Sequence, residues 1–325
     1  MTTTGDLAAA RAGDQAAFER LVAGHRRELQ AHCYRMLGSI QDAEDAVQES
    51  LLAAWRGIGG FEGRSSLRSW LYRITTNACL RLIERRPPRI RSFDHGPPCL
   101  DPADLGEPVA EPIWLEPWPD DPAERYLRRE GIELAFVAAL QHLPGTQRAV
   151  LILREVLQFS AAEVAGVLET TPASVNSALQ RARRTIGTVP SQSAELAALG
   201  EDGQRALLAA LVRAWEAADV DALTELLAED ARFTMPPLPA WFDGRDAVRG
   251  FVAERLFATP WRLVPMRCNG QPGFAAYQGD PAGGPFRLGG VNVLSVRGGR
   301  ITEIASFLDP ALRPHFDLPE ILPEQ

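Results

Sequence analysis

Apolar residues recur at helical spacing through the first part of the chain. Ala17, Phe18, Leu21 and Val22 open a stripe that continues through Leu29, Cys33, Met36 and Leu37, and Gly38-Ser39 ends it. A second helix is predicted from Gln41 to Trp55, with Ala43, Ala46, Val47, Leu51 and Ala54 on its apolar face. Its other face carries Asp42, Asp45 and Glu49 at i, i+3 and i+7. A glycine-rich loop around Phe61 follows. Ser65 or Ser66 then caps a helix to about Arg85, which Pro87-Pro88 stops.

Residues 87–125 are proline-rich and show no period, so they read as an extended linker with an aromatic patch at Trp114-Leu-Glu-Pro-Trp118. Helical spacing resumes from Arg125 to His142 and again from Thr146 to Leu157. Ser160 caps Ala161–Leu168 with Glu163 at the capping-box position, and Pro172 opens a helix to about Ile186. Helix, short turn and polar-faced second helix make a helix-turn-helix pattern. After Ser193 the pattern changes. Helices are predicted at Leu199–Trp215, Ala222–Leu227 and Asp246–Phe257. Strand-like segments are predicted at Ala231–Met235, Trp261–Cys268, Gly273–Gln278, Phe286–Val296 and Ile301–Leu308, with Arg297-Gly-Gly-Arg300 as a hairpin turn. Helices followed by a curved antiparallel sheet imply a separate α+β domain.

Composition sharpens this division. The 325 residues suffice for two or three domains. Net charge is −8, yet residues 61–91 hold eight arginines against Glu62 and Glu84. Residues 101–124 hold eight acids and no basic residue. A basic segment inside an acidic chain is an electrostatic footprint for nucleic acid. Cys33, Cys79, Cys99 and Cys268 form no C-x-x-C pair, and His32 beside Cys33 points away from it on a helix, so no metal or cofactor is expected. No run of about eighteen apolar residues occurs and the first residues lack a signal-peptide pattern, so a cytoplasmic protein with no membrane partner is expected.

Two segments carry the candidate chemistry. Phe61, Trp70 and Tyr72 lie among Arg64, Ser65, Arg68, Arg73 and Asn77; aromatic faces stack on unpaired bases, and small polar groups bond their edges. Leu71 and Ile74 read as the buried stripe of the same helix. On the helix from Pro172, Ser174, Asn176, Ser177, Gln180 and Arg181 are placed to read a major groove, with Arg183 and Arg184 on phosphate.

Asp42-Ala-Glu-Asp-Ala-Val-Gln-Glu-Ser50, Phe61-Glu-Gly-Arg64, Trp70-Leu-Tyr-Arg-Ile-Thr-Thr-Asn77 and the 160–184 segment, in that order, resemble the extracytoplasmic-function group of sigma-70 family RNA polymerase sigma factors. The resemblance implies region 2 at residues 7–88, a linker at 89–124 and region 4 at 125–187. RNA polymerase core is the implied partner, through its β′ clamp helices and β flap. Asp42, Asp45, Gln48 and Glu49 would meet the clamp. Residues 61–86 would read and melt the −10 element of promoter DNA, and 160–184 would read the −35 element. Many members carry a basic residue where Asn176 stands and a bulkier one at Gln180, which shifts expected −35 readout toward shape and phosphates.

Trp215-Glu216, Leu226-Leu-Ala-Glu-Asp-Ala-Arg-Phe233 and Gly244-Arg-Asp-Ala-Val248 resemble the SnoaL-like branch of the NTF2-like fold. That implies a cone-shaped α+β barrel with a pocket at residues 200–316, regulatory in role. The expected fold is therefore multidomain: two all-α helical DNA-binding domains and a C-terminal α+β barrel. Enzymes of that fold use pocket Asp or His groups. Asp230, Asp243 and His315 are available but form no constellation, so catalysis is not expected. The expected regulation is contact of the tail with the linker or region 2. The competing reading is a one-component helix-turn-helix regulator sensing a ligand in the tail; it needs neither the acidic 42–49 face nor the 61–81 aromatics.

Overall fold

The computed structural model describes residues 3–120, 132–187 and 191–322. It divides into two units, Met1–Arg89 with Ala135–Val189, and Ile90–Leu134 with Pro190–Gln325.

The first unit is helical. Helices α1 (Thr3–Arg11), α2 (Gln15–Ala23), α3 (Arg26–Leu37), α4 (Ile40–Gly57) and α5 (Leu67–Ile83) come first; α6 (Ser92–His95) belongs to the other unit. The stripe expected to run unbroken from Ala17 to Leu37 is two helices, because α2 ends at Gly24 and α3 starts after His25. Gly38 terminates α3 at φ 71°, and the Ser39 hydroxyl accepts the Asp42 amide to start α4. Ser66 caps α5 in the same way.

Region 125–131 of the expected fourth helix lies outside the described residues. Helix α7 (Leu134–Gln141) is followed by α8 (Gly145–Leu151), which runs into a π turn at Ile152–Val156. The helix-turn-helix pair is α9 (Ala161–Val167), with the reciprocal Ser160–Glu163 capping box, and α10 (Pro172–Ile186).

The two helical halves pack on each other. The buried Arg148 guanidinium donates across the seam to the Met36 carbonyl and, within its own half, to Gln141 Oε1 (2.6 Å) and the Gln141 and Leu143 carbonyls. Gln141 reaches the Arg35 carbonyl. Burial pulls the Arg148 pKa down to about 10, still charged at neutral pH. Gly145 lies so close to α5 that a Cβ there would sit 3.0 Å from Leu80 Cδ2.

The second unit is built on α11 (Gln192–Glu216, broken at Gly200), α12 (Val220–Glu225), α13 (Arg245–Glu254) and a sheet. Its strands are β1 (Leu227–Thr234), β2 (Trp241–Asp243), β3 (Trp261–Cys268), β4 (Gln271–Gln278), β5 (Arg287–Arg297) and β6 (Arg300–Phe307). Their order among the described residues is β2-β1-β6-β5-β4-β3, with β1 and β6 parallel and the other pairs antiparallel. Strand β2 gave no alternation in the sequence because it is only three residues long. Register sets Phe233 opposite Phe242, and both rings join the core with Trp215, Phe251 and Phe274.

The linker is part of this unit. Ile90 bridges Trp114, and Pro119 bridges Cys268 at the end of β3. The Cys99 amide donates to the Trp241 carbonyl at 2.8 Å, the Val109 amide to Pro237 at 3.0 Å, and Trp241 Nε1 to the Gly96 carbonyl at 2.9 Å. Arg91 and Glu303 form a buried ion pair. Trp114, Leu115 and Trp118 are all buried. Proline lacks an N–H, so a proline-rich strap presents few amides and can lie against a sheet domain with those few satisfied.

Candidate polymerase and nucleic-acid interfaces

Helix α4 splits the acidic residues into two kinds. Position 42 falls on the inner face with Ala43, Ala46 and Ser50, and its carboxylate is buried against Arg86 and Arg89, the latter at 2.5 Å. Asp42 therefore holds α4 to the chain beyond α5 and presents no carboxylate outward, a correction to its expected docking role. Asp45, Gln48 and Glu49 are exposed on the outer face, and Glu49 accepts from Arg81 at 2.7 Å.

The 61–81 segment is less open than its aromatic content predicts. Phe61 is buried, its ring 5.0 Å from that of Trp70, and Arg11 caps it from above at 5.8 Å. Trp70 is buried as well, and Tyr72 completely so. Leu71 is buried, whereas Ile74 is only half-buried. The Tyr72 hydroxyl lies 3.4 Å from both the carbonyl and Oε2 of Glu28, and burial pushes its pKa up. Arg64 and Ser65 are exposed, and Arg64 faces Glu62 at 3.1 Å. Arg68, Arg73 and Asn77 are half-buried.

Arg68 is the centre of a cluster that sequence reasoning assembled only in part. Its Nε donates to Glu28 Oε2 at 3.0 Å, and its guanidinium lies 4.6 Å from the Phe159 ring and 5.0 Å from the Tyr72 ring. Burial alone would raise the Glu28 pKa, but hydrogen bonds from His25 and Arg68 outweigh it and hold the carboxyl below its ordinary value. Neither Glu28, in the first turn of α3, nor Phe159, just before the α9 cap, carries a periodic signal that would have marked it.

His32 is a core residue. Its Nε2 lies 3.0 Å from Thr76 Oγ1, and burial lowers its pKa to about 3. Among the described residues no three His, Cys, Asp or Glu groups come together as a metal site.

Helix α10 is amphipathic. Val175, Ala178, Leu179 and Ala182 are buried, while Ser174, Asn176, Ser177, Gln180, Arg181, Arg183 and Arg184 are all exposed. Ser177, Gln180, Arg181, Arg183 and Arg184 line one shallow groove. Thr171 caps the Ser174 amide, and Arg183 is steered by Glu155 at 2.6 Å.

In the sheet unit the candidate carboxylates face outward into ion pairs, Asp230 with Arg297 at 2.6 Å and Asp243 with Arg232 at 3.1 Å. The Arg297 hydrogen bond lowers the Asp230 pKa, the wrong direction for a general acid. The interior is filled by the chain's own rings: Phe242 stacks on Phe251 at 4.5 Å and Trp215 meets Phe274 at 5.2 Å. Among the described residues no helix is long and apolar enough to cross a membrane.

Comparison with known proteins agrees with this division. Residues 21–87 match Sigma-70 region 2, residues 133–186 match Sigma-70 region 4, and residues 208–304 match the SnoaL-like domain. The chain is 46% identical over 313 residues to the ECF RNA polymerase sigma factor SigG of Mycobacterium tuberculosis, covering 92% of this chain and 83% of that one. It is 30% identical over 183 residues to the RNA polymerase sigma-H factor of Pseudomonas aeruginosa, covering 54% of this chain and 86% of the relative. The crystal structure of M. tuberculosis SigJ shares the fold, with a TM-score of 0.59 at 20% identity, covering 90% of this chain and 97% of that one. The chain belongs to the extracytoplasmic-function group of sigma-70 family RNA polymerase sigma factors, which direct transcription initiation, and it carries a SnoaL-like domain behind the two sigma regions.

Proposed function

We propose the following division of labour. The outer face of α4, with Asp45, Gln48 and Glu49, docks on the β′ clamp helices of polymerase core, and region 4 meets the β flap. Helix α5 and the loop before it capture opened bases of the −10 element. Helix α10 reads the −35 element in the major groove, Asn176 and Gln180 being suited to adenine and the arginines to guanine or phosphate. The observation that supports this most directly is α10 itself: every candidate reader on it is exposed, and its apolar residues are turned inward.

The SnoaL-like domain is proposed as a regulatory module that acts through the linker. Linker residues are hydrogen-bonded to its strands and loops, and Trp215, Phe233, Phe251 and Phe274 pack in its core. Cutting the chain after Ser193 would remove the strands and turns to which the linker is hydrogen-bonded, so point changes in the full chain are the cleaner test. Run-off transcription with polymerase core should be abolished by Asp45→Arg with Glu49→Arg, and altered in yield or promoter choice by Asn269→Ala. Unchanged transcription by the first variant would refute the docking face. Unchanged transcription by the second would refute regulation through the linker.

A further inference from the structure

The two-residue turn between β5 and β6 sets one arginine directly against another. Gly298 and Gly299 take positive φ, 57° and 77°, and the register pairs Arg297 with Arg300 across the turn. Like charges in directly opposed positions destabilise a strand pair, and a Gly-Gly turn does not require them. A third arginine, Arg245 at the start of α13, reaches the same place, and with Ala228, Glu229 and Asp230 the three line a groove of about 560 Å³. A shift in the register of β1 against β6, between Leu227 and Arg232, brings the last three residues there. The arginines are held in place but not neutralised. Arg300 Nη1 donates to the Glu225 carbonyl at 2.6 Å and the Leu227 carbonyl at 3.3 Å, and among the described residues no carboxylate pairs with it. Arg297 Nη2 donates to Asp230 Oδ1 at 2.6 Å. Arg245 faces Glu229 at 3.5 Å, a weak pair because the Glu229 side chain is 92% exposed. Glu195 accepts the Gly298 amide at 2.9 Å and so fixes the turn itself. Three guanidiniums against two carboxylates leave the groove positive, although residues 195–325 as a whole hold eighteen acids against twelve arginines.

We propose that this groove binds the phosphate groups of a small molecule, held by Arg245, Arg297 and Arg300. The planar fork of a guanidinium matches phosphate oxygens two at a time. Arg297 and Arg300 are each anchored through one terminal nitrogen, which leaves the rest of each fork for the ligand. A diphosphate or longer chain suits the groove better than a single phosphate, because its charges can reach all three arginines. The volume is that of a small-molecule site. The acidic surroundings repel an extended duplex, whereas a small anion in the groove feels chiefly the charges within a Debye length.

The test is calorimetric titration of the full chain with pyrophosphate, with orthophosphate and a short DNA duplex as comparisons. Pyrophosphate should bind more tightly than orthophosphate. Arg245→Ala and Arg300→Ala should each weaken pyrophosphate binding by about tenfold. Glu229→Gln removes a competing carboxylate and should tighten it by about two- to fivefold, a gain that misfolding cannot produce. Arg181→Ala on α10 should leave it unchanged. Absence of pyrophosphate binding would overturn the proposal. So would binding lost in Arg181→Ala but unmoved in Arg245→Ala and Glu229→Gln, which would place the anion on α10. If Arg245→Ala weakens the duplex as strongly as Arg181→Ala does, the groove is a DNA contact and the small-molecule site is refuted.

Discussion

The side chain of Asn269 joins Trp118 of the linker to Ile132, just before α7: its Oδ1 accepts the Trp118 amide and its Nδ2 donates to the Ile132 carbonyl, both at 2.8 Å. Asn269 sits at φ 55°, in the left-handed region that asparagine tolerates better than most residues. Its own amide returns a bond to the Trp118 carbonyl at 2.8 Å. One residue in the β3–β4 turn thus satisfies backbone groups that a proline-rich strap would otherwise bury unpaired.

Asn269→Ala should destabilise the sheet unit by about 2–4 kcal/mol, from two lost buried hydrogen bonds and added left-handed strain. Asn269→Gly keeps the backbone conformation and should recover only the strain component, about 1 kcal/mol. Urea denaturation followed by tryptophan fluorescence measures both. Equal stability of the parent and the alanine variant would show that the linker is not held by this residue.

Asp42 and Asp45 lie one turn apart and should respond in opposite ways. Asp42→Ala removes the buried carboxylate that Arg86 and Arg89 both bond and should cost about 3–5 kcal/mol of stability. Asp45→Arg should leave the melting temperature within a degree or two while removing binding to core in a pull-down. A thermally normal Asp42→Ala protein would contradict the structural role assigned to that carboxylate.

His32 predicts acid sensitivity. The unfolded chain takes up a proton below about pH 6.5, whereas the folded protein resists until about pH 3. The unfolded state therefore binds more protons in that window, and stability falls as pH is lowered, by up to about 1.4 kcal/mol per unit from this one group. In His32→Gln that component should vanish. Denaturant titrations at pH 7 and pH 5 compare the two proteins; an identical pH effect in both would exclude His32 as its source.

On α10, Arg181→Ala and Arg184→Ala should weaken binding to duplex promoter DNA at all sequences and each reduce the slope of log affinity against log salt by about 1. Gln180→Ala should instead change sequence preference, by about 1–3 kcal/mol at one base pair, with the salt slope intact. Fluorescence anisotropy over a salt series, on parent and single-substituted duplexes, separates the outcomes. A Gln180 variant that weakens all duplexes alike would move that residue from base to phosphate or shape recognition.

Periodicity and capping residues placed α10 at its observed bounds and strand β3 at its full length, and carried α9 to Leu168 where the helix ends at Val167, because each is a local pattern closed by a cap or a turn. Periodicity also separated the sheet domain from the helices, and the acidic, aromatic and basic segments carried the family resemblance. Tertiary structure decided which of those residues are free. Asp42 and Asp45 look alike in sequence, but helix phase turns one toward Arg89 and the other outward. Phe61, Trp70 and Tyr72 read as a stacking surface, yet burying an aromatic ring against another releases more water than leaving it open, and each found a partner ring inside the helical unit. The linker looked structureless because proline has no period to show; its order comes from amides and tryptophans meeting β3, β4 and Asn269, residues about 150 positions further along the chain. Contacts at such separation leave no mark on any window of sequence, since neither side is patterned until the other is in place.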